Sequence, residues 1–208
     1  MQAIITAAGQ SSRFYPFTDF GHKSFIPILG KPIIYHTLEG VKRAGIKNVI
    51  VITGSGDNAA RLIEENTLGL HITHVVQEQP LGMGNALICA EKYLEKDFFV
   101  VYPHHADFHM FRKAIENKKE HDGIVLLAAE EKDLGRFGVL RVDGDRVLDI
   151  IEKPIRGEEP SNLRVVGIYL LCKKFLPVLK NVRQHHYNFE EAIAQYAKNE
   201  IAKVHITD

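Results

Sequence analysis

The chain has 208 residues, 45% of them hydrophobic and 25% charged, a balance typical of a soluble globular protein with a full apolar core. Its 26 basic and 26 acidic side chains cancel, so no overall field would draw it to nucleic acid or to an anionic membrane. Neither partner is expected, although a few well-placed cations are enough to bind a small anion such as a nucleotide.

The N-terminal residues and the cysteines indicate where the protein works. The stretch MQAIITAAG has no basic segment and reaches glycine after a short apolar run, so we expect neither a signal peptide nor a membrane span. The two cysteines, Cys89 and Cys172, form no CxxC pair and are predicted to be buried free thiols. The expected location is the cytoplasm.

Up to Glu130, short β-branched runs alternate with amphipathic segments. The predicted strands are residues 3–7, 48–52, 71–76, 98–102 and 124–129, and the predicted helices are residues 33–43, 58–65, 84–93 and 110–120. Repeated strand–helix units of this kind favour a parallel sheet with helices on both faces.

After Glu130 the pattern changes. Residues 138–142 and 147–152 alternate around Asp143-Gly144-Asp145, which predicts a β-hairpin. A strand at 165–171, helices at 174–179 and 189–198 and a last strand at 202–206 follow. The sequence predicts one α/β domain over residues 1–208, with a Rossmann-like, doubly wound, mostly parallel sheet and a small β-hairpin subregion.

The first strand leads directly into a loop of small residues, Ala7-Ala8-Gly9-Gln10-Ser11-Ser12-Arg13. Small residues let the backbone approach a bound group, and exposed N–H groups can line an anion site. Arg13 and the later Lys23 add cations suited to phosphate oxygens. The loop matches neither a Walker A motif nor GxGxxG, and a tight turn of purely structural purpose would use similar residues.

The stretch AAGQSSRFYPFT, followed by HKSFIPILGKP, resembles the signature of sugar-1-phosphate nucleotidyltransferases in order and spacing. The family carries Ala-Ala-Gly, a small-residue pair, Arg, Pro-Leu-Thr, Pro-Lys, Pro-Val and Gly-Lys-Pro. Ser11-Ser12 replaces the common Gly-Thr, and His22 replaces the usual proline before Lys23. The resemblance implies the GT-A-like nucleotide-diphospho-sugar transferase fold, nucleotide binding at Ala8 and Gly9, and catalytic roles for Arg13 and Lys23.

The resemblance continues in the segment QEQPLGMGNA. Family members carry a glutamine that hydrogen-bonds the nucleobase edge and then a glycine against which the base packs. Gln77 and Gly82 match these positions, and an amide side chain offers a donor and an acceptor together. Without the resemblance, the segment would be interpreted as a polar loop before a helix.

The predicted strand at 98–102 is followed by PHHAD. In the family this strand ends in Gly-Asp, and the aspartate holds Mg²⁺ against the phosphates. Because Mg²⁺ prefers carboxylate oxygen, the resemblance implies that Asp107 is the ligand. His104 and His105 are interpreted as a local insertion, and the alternative of a transition metal bound by the two histidines stays open.

Three later segments resemble the family's sugar site: FGV at 137–139, IEKP at 151–154 and SNLRVVGIY at 161–169. The resemblance implies that Glu152 accepts sugar hydroxyls and Lys153 contacts the sugar phosphate. It also implies that Gly138 and Tyr169 help to line the pocket. By itself, Glu-Lys-Pro would be interpreted as a charged strand end.

The resemblance implies transfer of a nucleotidyl group from a nucleoside triphosphate to a sugar 1-phosphate, with Mg²⁺ as cofactor and pyrophosphate released. A cytidylyltransferase or molybdopterin-type nucleotidyltransferase and a regulatory domain that binds nucleotide sugars without turnover are the alternatives. The family's later Trp-x-Asp-x-Gly-Thr segment carries a second Mg²⁺ ligand, and this chain contains no tryptophan. A shortened chain, an altered metal site and a loss of catalysis all stay open, as does a homo-oligomer.

Overall fold

The computed structural model describes residues 1–9, 22–55, 67–183, 185 and 187–207. The helices are α1 Ile33–Arg43, α2 Gly82–Ala90, α3 Phe108–Lys118, α4 Phe175–Asn181 and α5 Asn188–Asn199, with short 3-10 turns at Lys23–Phe25 and Glu91–Tyr93. The strands are β1 Gln2–Ala7, β2 Pro27–Ile28, β3 Lys31–Pro32, β4 Asn48–Gly54, β5 His71–Gln77, β6 Asp97–Val101, β7 Ile124–Glu130, β8 Gly138–Asp143, β9 Arg146–Glu152, β10 Leu163–Cys172 and β11 Ala202–Thr207.

The main sheet of the described residues has the strand order β5-β4-β1-β6-β10-β7-β11-β9-β8. The first four strands of this order are parallel to one another. Beyond them β10 runs antiparallel to both β6 and β7, β8 pairs antiparallel with β9, and only β7 and β11 are parallel. The sheet is therefore mixed, and the expectation of a mostly parallel sheet applies only to its N-terminal half.

A short connection explains the antiparallel β8–β9 pair. A parallel pair needs a crossover long enough for a helix, whereas a tight turn returns the next strand antiparallel. The Asp143–Arg146 turn is such a connection, with Gly144 at a φ of 59°. This turn confirms the predicted β-hairpin.

Two hydrophobic cores lie on opposite faces of the sheet. Alternation along β1 directs Ile4 into one core and Ala3 and Ile5 into the other. The first core is covered by α2, α4 and α5, and the second by α1 and α3. Because both faces are covered, the central strands are apolar along their whole length, as the sequence pattern predicts.

The described elements agree with the predicted strands and helices to within a few residues at their ends. The predicted helix at 58–65 lies outside the described residues. Among the helices described, none combines the length and the apolar composition needed to cross a bilayer.

The topology creates a crevice beside β1. The chain passes from β1 to β4 and β5 on one side and then returns to place β6 on the other side of β1. In open α/β sheets, ligands bind at the carboxyl ends of strands where the winding direction reverses. The residues after β1, β5 and β6 meet at this position.

Candidate active site

A cavity of about 330 Å³ opens at the carboxyl ends of these strands. The structure brings eight of the predicted site residues to its wall: Ala8, Gly9, Lys23, Gln77, Gly82, Gly138, Glu152 and Lys153. They come from segments separated by more than a hundred residues, so the fold assembles the site from both halves of the sheet. Arg13 lies outside the described residues.

One end of the cavity is formed by the chain after β1 and by the 3-10 turn that begins at Lys23. A Cβ at Gly9 would lie 3.6 Å from the His22 Nε2 atom, an ordinary contact distance, so the Gly9 backbone lies beside the imidazole. Lys23 adds a positive charge at the same end. Backbone, imidazole and ammonium groups together suit a phosphate group.

His22 is held as a neutral donor. Its Nδ1 accepts from the Ser24 N–H at 3.2 Å, which leaves the ring proton on Nε2. Burial, and then the charge of Lys23, lowers the pKa of His22 to about 4. The imidazole therefore donates a hydrogen bond toward the cavity without adding charge at neutral pH.

The amide of Gln77 is fixed at the end of β5. Its Nε2 donates to the Gly82 carbonyl at 3.0 Å and to the Asn85 Oδ1 at 2.7 Å. Gln77 is buried, and Gly82 begins α2 with a φ of 89°, a conformation that favours glycine. Because both amide protons are engaged, the amide oxygen is the group left to accept a hydrogen bond.

The opposite end of the cavity contains Glu152 and Lys153, at the end of β9. Burial raises the pKa of Glu152. The Lys153 Nζ donates to the Tyr187 hydroxyl at 2.9 Å and lies 4.0 Å from the Glu152 carboxylate. A Cβ at Gly138 would lie 3.1 Å from the Glu152 Oε2, so glycine keeps space beside that carboxyl.

Lys153 adopts a φ of 50°, in the left-handed region that side chains rarely occupy. Its N–H donates to the Phe137 carbonyl at 2.9 Å, which ties the end of β9 to the beginning of β8. Backbone strain of this kind is kept where the surrounding structure fixes a functional group. The strain therefore agrees with a binding role for the Lys153 side chain.

Tyr169 does not line the cavity. It is fully buried and packs against Phe189 with 5.1 Å between the ring centroids. Tyr102, which was not predicted, lies on the wall in front of it, with 6.2 Å between the two ring centroids. Tyr102 is accommodated because Gly167 has no side chain: a Cβ there would lie 2.5 Å from the Tyr102 Cδ2.

Asp107 does not line the cavity either. The chain after β6 turns before α3, so that His104 reaches the wall and Asp107, half exposed, immediately precedes the helix. Its Oδ1 lies 3.4 Å from the His105 Nδ1. The role of Asp107 as a metal ligand stays a prediction, and its position gives that role no support.

The two histidines after β6 have different surroundings. His105 is buried and donates to the Val166 carbonyl at 2.6 Å, which anchors the turn to β10. His104 lines the cavity, and burial is the main cause that lowers its pKa to about 4. Within the described ranges, no group of three or more His, Cys, Asp or Glu side chains suited to a metal is found.

Sequence reasoning missed several residues of the wall. Besides His22, Tyr102 and His104 these include Arg136, Tyr187 and Glu190. Arg136 directly precedes the FGV segment, and proximity to that motif could have indicated it. Tyr187 lies just before α5 and Glu190 lies in its first turn, in a segment where no motif was recognised. The tertiary contact between α5 and β9 brings both residues to the site.

Lys23, Arg136 and Lys153 supply three positive charges around the cavity, while its carboxyl groups, Glu152 and Glu190, lie together. The cations suit phosphate groups, and the carboxyl groups suit hydroxyls. In the described part of the chain, the cavity contains no nucleophilic Ser or Cys paired with a base. The charged groups on the wall suit positioning and charge stabilisation of a bound substrate.

Comparisons with known proteins identify the family. Residues 2–208 match the family described as "Nucleotidyl transferase". A bifunctional protein GlmU from Methanococcus maripaludis is 32% identical over 183 residues, which cover 88% of this chain and 43% of that protein. A glucose-1-phosphate thymidylyltransferase from Neisseria meningitidis is 30% identical, over 88% of this chain and 65% of the relative.

Solved structures extend the comparison. A Bacillus anthracis protein described as a candidate glucose-1-phosphate thymidylyltransferase, in complex with a sucrose, has a TM-score of 0.86 at 25% identity, over 100% of this chain and 87% of its own. A UTP-bound UGPase from Acinetobacter baumannii has the same fold, with a TM-score of 0.82 at 22% identity, over 100% and 86% of the two chains. This chain spans less than half the length of the GlmU relative. The match over nearly its whole length shows that the chain belongs to the nucleotidyl transferase family.

Proposed function

We propose that the protein transfers a nucleotidyl group from a nucleoside triphosphate to a sugar 1-phosphate, forming a nucleoside diphosphate sugar and pyrophosphate. One observation carries the proposal: a single cavity has a cationic phosphate end at Gly9 and Lys23, and a carboxyl-rich end at Glu152 beside Lys153. Gln77 lies on the same wall. A site for two phosphate-bearing substrates, one of them rich in hydroxyls, needs this combination.

The reaction needs no general base. The attacking oxygen of a sugar 1-phosphate is ionised at neutral pH, so the enzyme has to orient it in line with the α-phosphorus. Lys153 would hold this phosphate, while Lys23 and the His22 Nε2–H stabilise charge on the leaving pyrophosphate. Arg13, from the resemblance, would act beside Lys23. Mg²⁺, which the resemblance implies, would neutralise charge on the triphosphate when bound.

The orientation of Gln77 favours bases with a ring N–H. Its amide protons are held by the Gly82 carbonyl and Asn85, so its oxygen is the group left to accept. Uracil, thymine and guanine present a ring N–H donor at the pairing edge, and cytosine and adenine present an acceptor there. Relatives named as thymidylyl- and uridylyltransferases for glucose 1-phosphate support UTP and dTTP as the first nucleotides to test.

Turnover distinguishes this function from its alternatives. The protein is incubated with UTP, dTTP, GTP and CTP, each paired with several sugar 1-phosphates and a divalent metal, and pyrophosphate and nucleotide sugars are quantified. Pyrophosphate that appears only when both substrates are present supports the proposal. Binding of a nucleotide sugar without turnover would favour the regulatory domain, and turnover restricted to CTP would favour a cytidylyltransferase.

The Lys23→Ala variant tests the assignment of the phosphate end. We expect kcat/KM to fall by about 100-fold or more, because a cation that stabilises the leaving group is lost. The melting temperature should stay close to that of the wild type, because the side chain lines a cavity. Lys180→Ala is the matched control, since Lys180 pairs with Glu91 on the surface and away from the cavity. Full activity of Lys23→Ala would refute the assignment.

A further inference from the structure

Glu190 lies in the first turn of α5 and lines the sugar end of the cavity. The next residue, Glu191, is exposed and pairs with His185 on the surface at 2.9 Å. Phe189, on the other side of Glu190, is fully buried in the core. The helix is thus fixed by its apolar face, and this fixes the Glu190 carboxyl at the cavity wall.

The surroundings of Glu190 disfavour a carboxylate. Burial, and then the charge of Glu152, raises the pKa of Glu190 to about 8. Lys153, the cation that faces it, donates to the Tyr187 hydroxyl, and within the described residues Glu190 forms no ion pair. At neutral pH Glu190 is therefore a carboxylic acid with an O–H donor.

Other titratable groups do not reverse this conclusion. The titratable groups that face Glu190 are Tyr102 after β6, Glu152 and Lys153 at the end of β9, Tyr169 in β10 and Tyr187 before α5. The other titratable groups on the elements packed against α5 are Cys89 in α2, Lys180 in α4, and Arg146 and Asp149 in β9. Burial raises the pKa of both Tyr102 and Tyr169, so these stay neutral. The ammonium of Lys180 is committed to Glu91 at 2.6 Å.

We propose that Glu190 is a second sugar-recognising residue, which donates a hydrogen bond as a neutral acid to a hydroxyl of the sugar 1-phosphate while Glu152 accepts from another. This inference rests on the proposed function, because it assigns the sugar to this end of the cavity. A donor and an acceptor side by side match a polyhydroxylated, uncharged sugar. A sugar acid is rejected, because its carboxylate would meet Glu152.

The substrate class gives a first test. With glucose 1-phosphate and glucuronic acid 1-phosphate at pH 7, we expect kcat/KM to favour the neutral sugar by about 100-fold or more, since the sugar acid would bury an unpaired charge beside a carboxylate. Equal kcat/KM for the two substrates would overturn the proposed selectivity.

Substitutions of Glu190 give the second test. Glu190→Ala should raise the KM for the sugar 1-phosphate by about 10-fold or more while the KM for the triphosphate stays within about 2-fold, because a buried donor to a hydroxyl is lost. Glu190→Gln keeps an N–H donor and should restore the KM to within about 3-fold of the wild type. Glu191→Gln on the adjacent exposed position is the control, with unchanged constants.

A pH profile separates recognition from a structural role. For the wild type, the KM for the sugar should rise as the pH passes about 8, where Glu190 loses its proton. For Glu190→Gln this rise should be absent. An unchanged KM in Glu190→Ala, or the same pH rise in Glu190→Gln as in the wild type, would overturn the inference.

Calorimetry distinguishes failure of the inference from failure of the proposed function. If the wild type turns over no substrate pair, the enzymatic function fails, and direct titration with glucose 1-phosphate then decides the role of Glu190. Weaker binding to Glu190→Ala than to Glu190→Gln supports that role. Equal binding to both variants, or no binding to the wild type, overturns it.

Discussion

At the residue scale, two imidazoles line the cavity near Lys23: His22 is buried and His104 is more exposed. Burial lowers the pKa of His22 and of His104 to about 4. Each side chain has an ordinary pKa of 6.5, so the unfolded chain binds more protons than the folded one between these values. Folding stability therefore rises with pH across this window and is lost as the pH falls through it.

His104→Gln should reduce this acid sensitivity. We expect the wild type to lose about 1–3 kcal/mol of unfolding free energy through His22 between pH 6.5 and pH 4, and a smaller amount through His104, because solvent screens that more exposed imidazole. The variant should lose correspondingly less, as measured by urea unfolding at a series of pH values. His109→Gln, at an exposed position in α3, is the control. Parallel pH profiles for the wild type and His104→Gln would contradict the assignment.

The sequence identified a site residue only where that residue stands in or beside a recognised motif. Lys23, Gln77, Glu152 and Lys153 stand in short sequence patterns, and the structure brings all four to one wall. Tyr102 takes the wall position expected of Tyr169 because Gly167 leaves room for its ring, a packing relation that no local pattern records.

For a related reason, the sequence did not show that His104 lines the cavity and that Asp107 does not. The direction of each side chain after β6 depends on a turn in which the His105 N–H donates to the Tyr102 carbonyl at 3.1 Å. Counting residues from the strand end cannot show which of them faces the cavity. Asp107 was predicted to be the ligand because Mg²⁺ prefers carboxylate oxygen, but the turn places the His104 imidazole on the cavity wall.

At the scale of elements, the position of α5 against α2 and β9 completes the sugar end of the cavity. The contact depends on Gly84, because a Cβ there would lie 2.4 Å from the Asn188 Oδ1 and 2.7 Å from the Leu179 Cδ1. Small-to-large changes in a close contact force the neighbouring elements apart. Gly84 therefore sets the distance between α2 and α5.

Gly84→Ala should destabilise the protein by about 1–3 kcal/mol, despite the better helix propensity of alanine. It should also raise the KM for the sugar 1-phosphate, because α5 carries Glu190 and follows Tyr187. Gly135→Ala is the control, since a Cβ at that glycine would have no neighbour within 4 Å. Thermal denaturation and steady-state kinetics give both readouts, and a Gly84→Ala variant as stable as the wild type would contradict this account.

The hydrophobic periodicity of the sequence predicted where most helices and strands lie, but it did not predict how the strands pair. The β8–β9 hairpin was predictable because the Asp143-Gly144-Asp145 turn is local. The insertion of β10 between β6 and β7 joins strands far apart in sequence, and a bulge between Val165 and Tyr169 shifts its register. Such long-range pairing depends on how the two cores close, so the sequence pattern indicated a parallel sheet where the structure is mixed.

At the scale of the whole molecule, one continuous sheet joins the phosphate end and the sugar end of the cavity. β10 pairs with β7 along one edge, and along the other edge it pairs with β6 and, at Arg164, with β8, so it connects the parallel half to the hairpin. The residues predicted to hold the triphosphate and those predicted to hold the sugar phosphate are thus carried by one scaffold. Rigid support of this kind is what orientation of two substrates for in-line attack requires.

The central claim is that this cavity directs a sugar 1-phosphate oxygen to the α-phosphorus of a nucleoside triphosphate. The most direct measurement follows label from the α-phosphorus of UTP or dTTP in the presence of glucose 1-phosphate. The account predicts that all transferred label appears in the nucleotide sugar, with unlabelled pyrophosphate released in equal amount. Label retained in a nucleoside diphosphate, with a sugar 1-diphosphate as the second product, would show attack at the γ-phosphorus and contradict the claim.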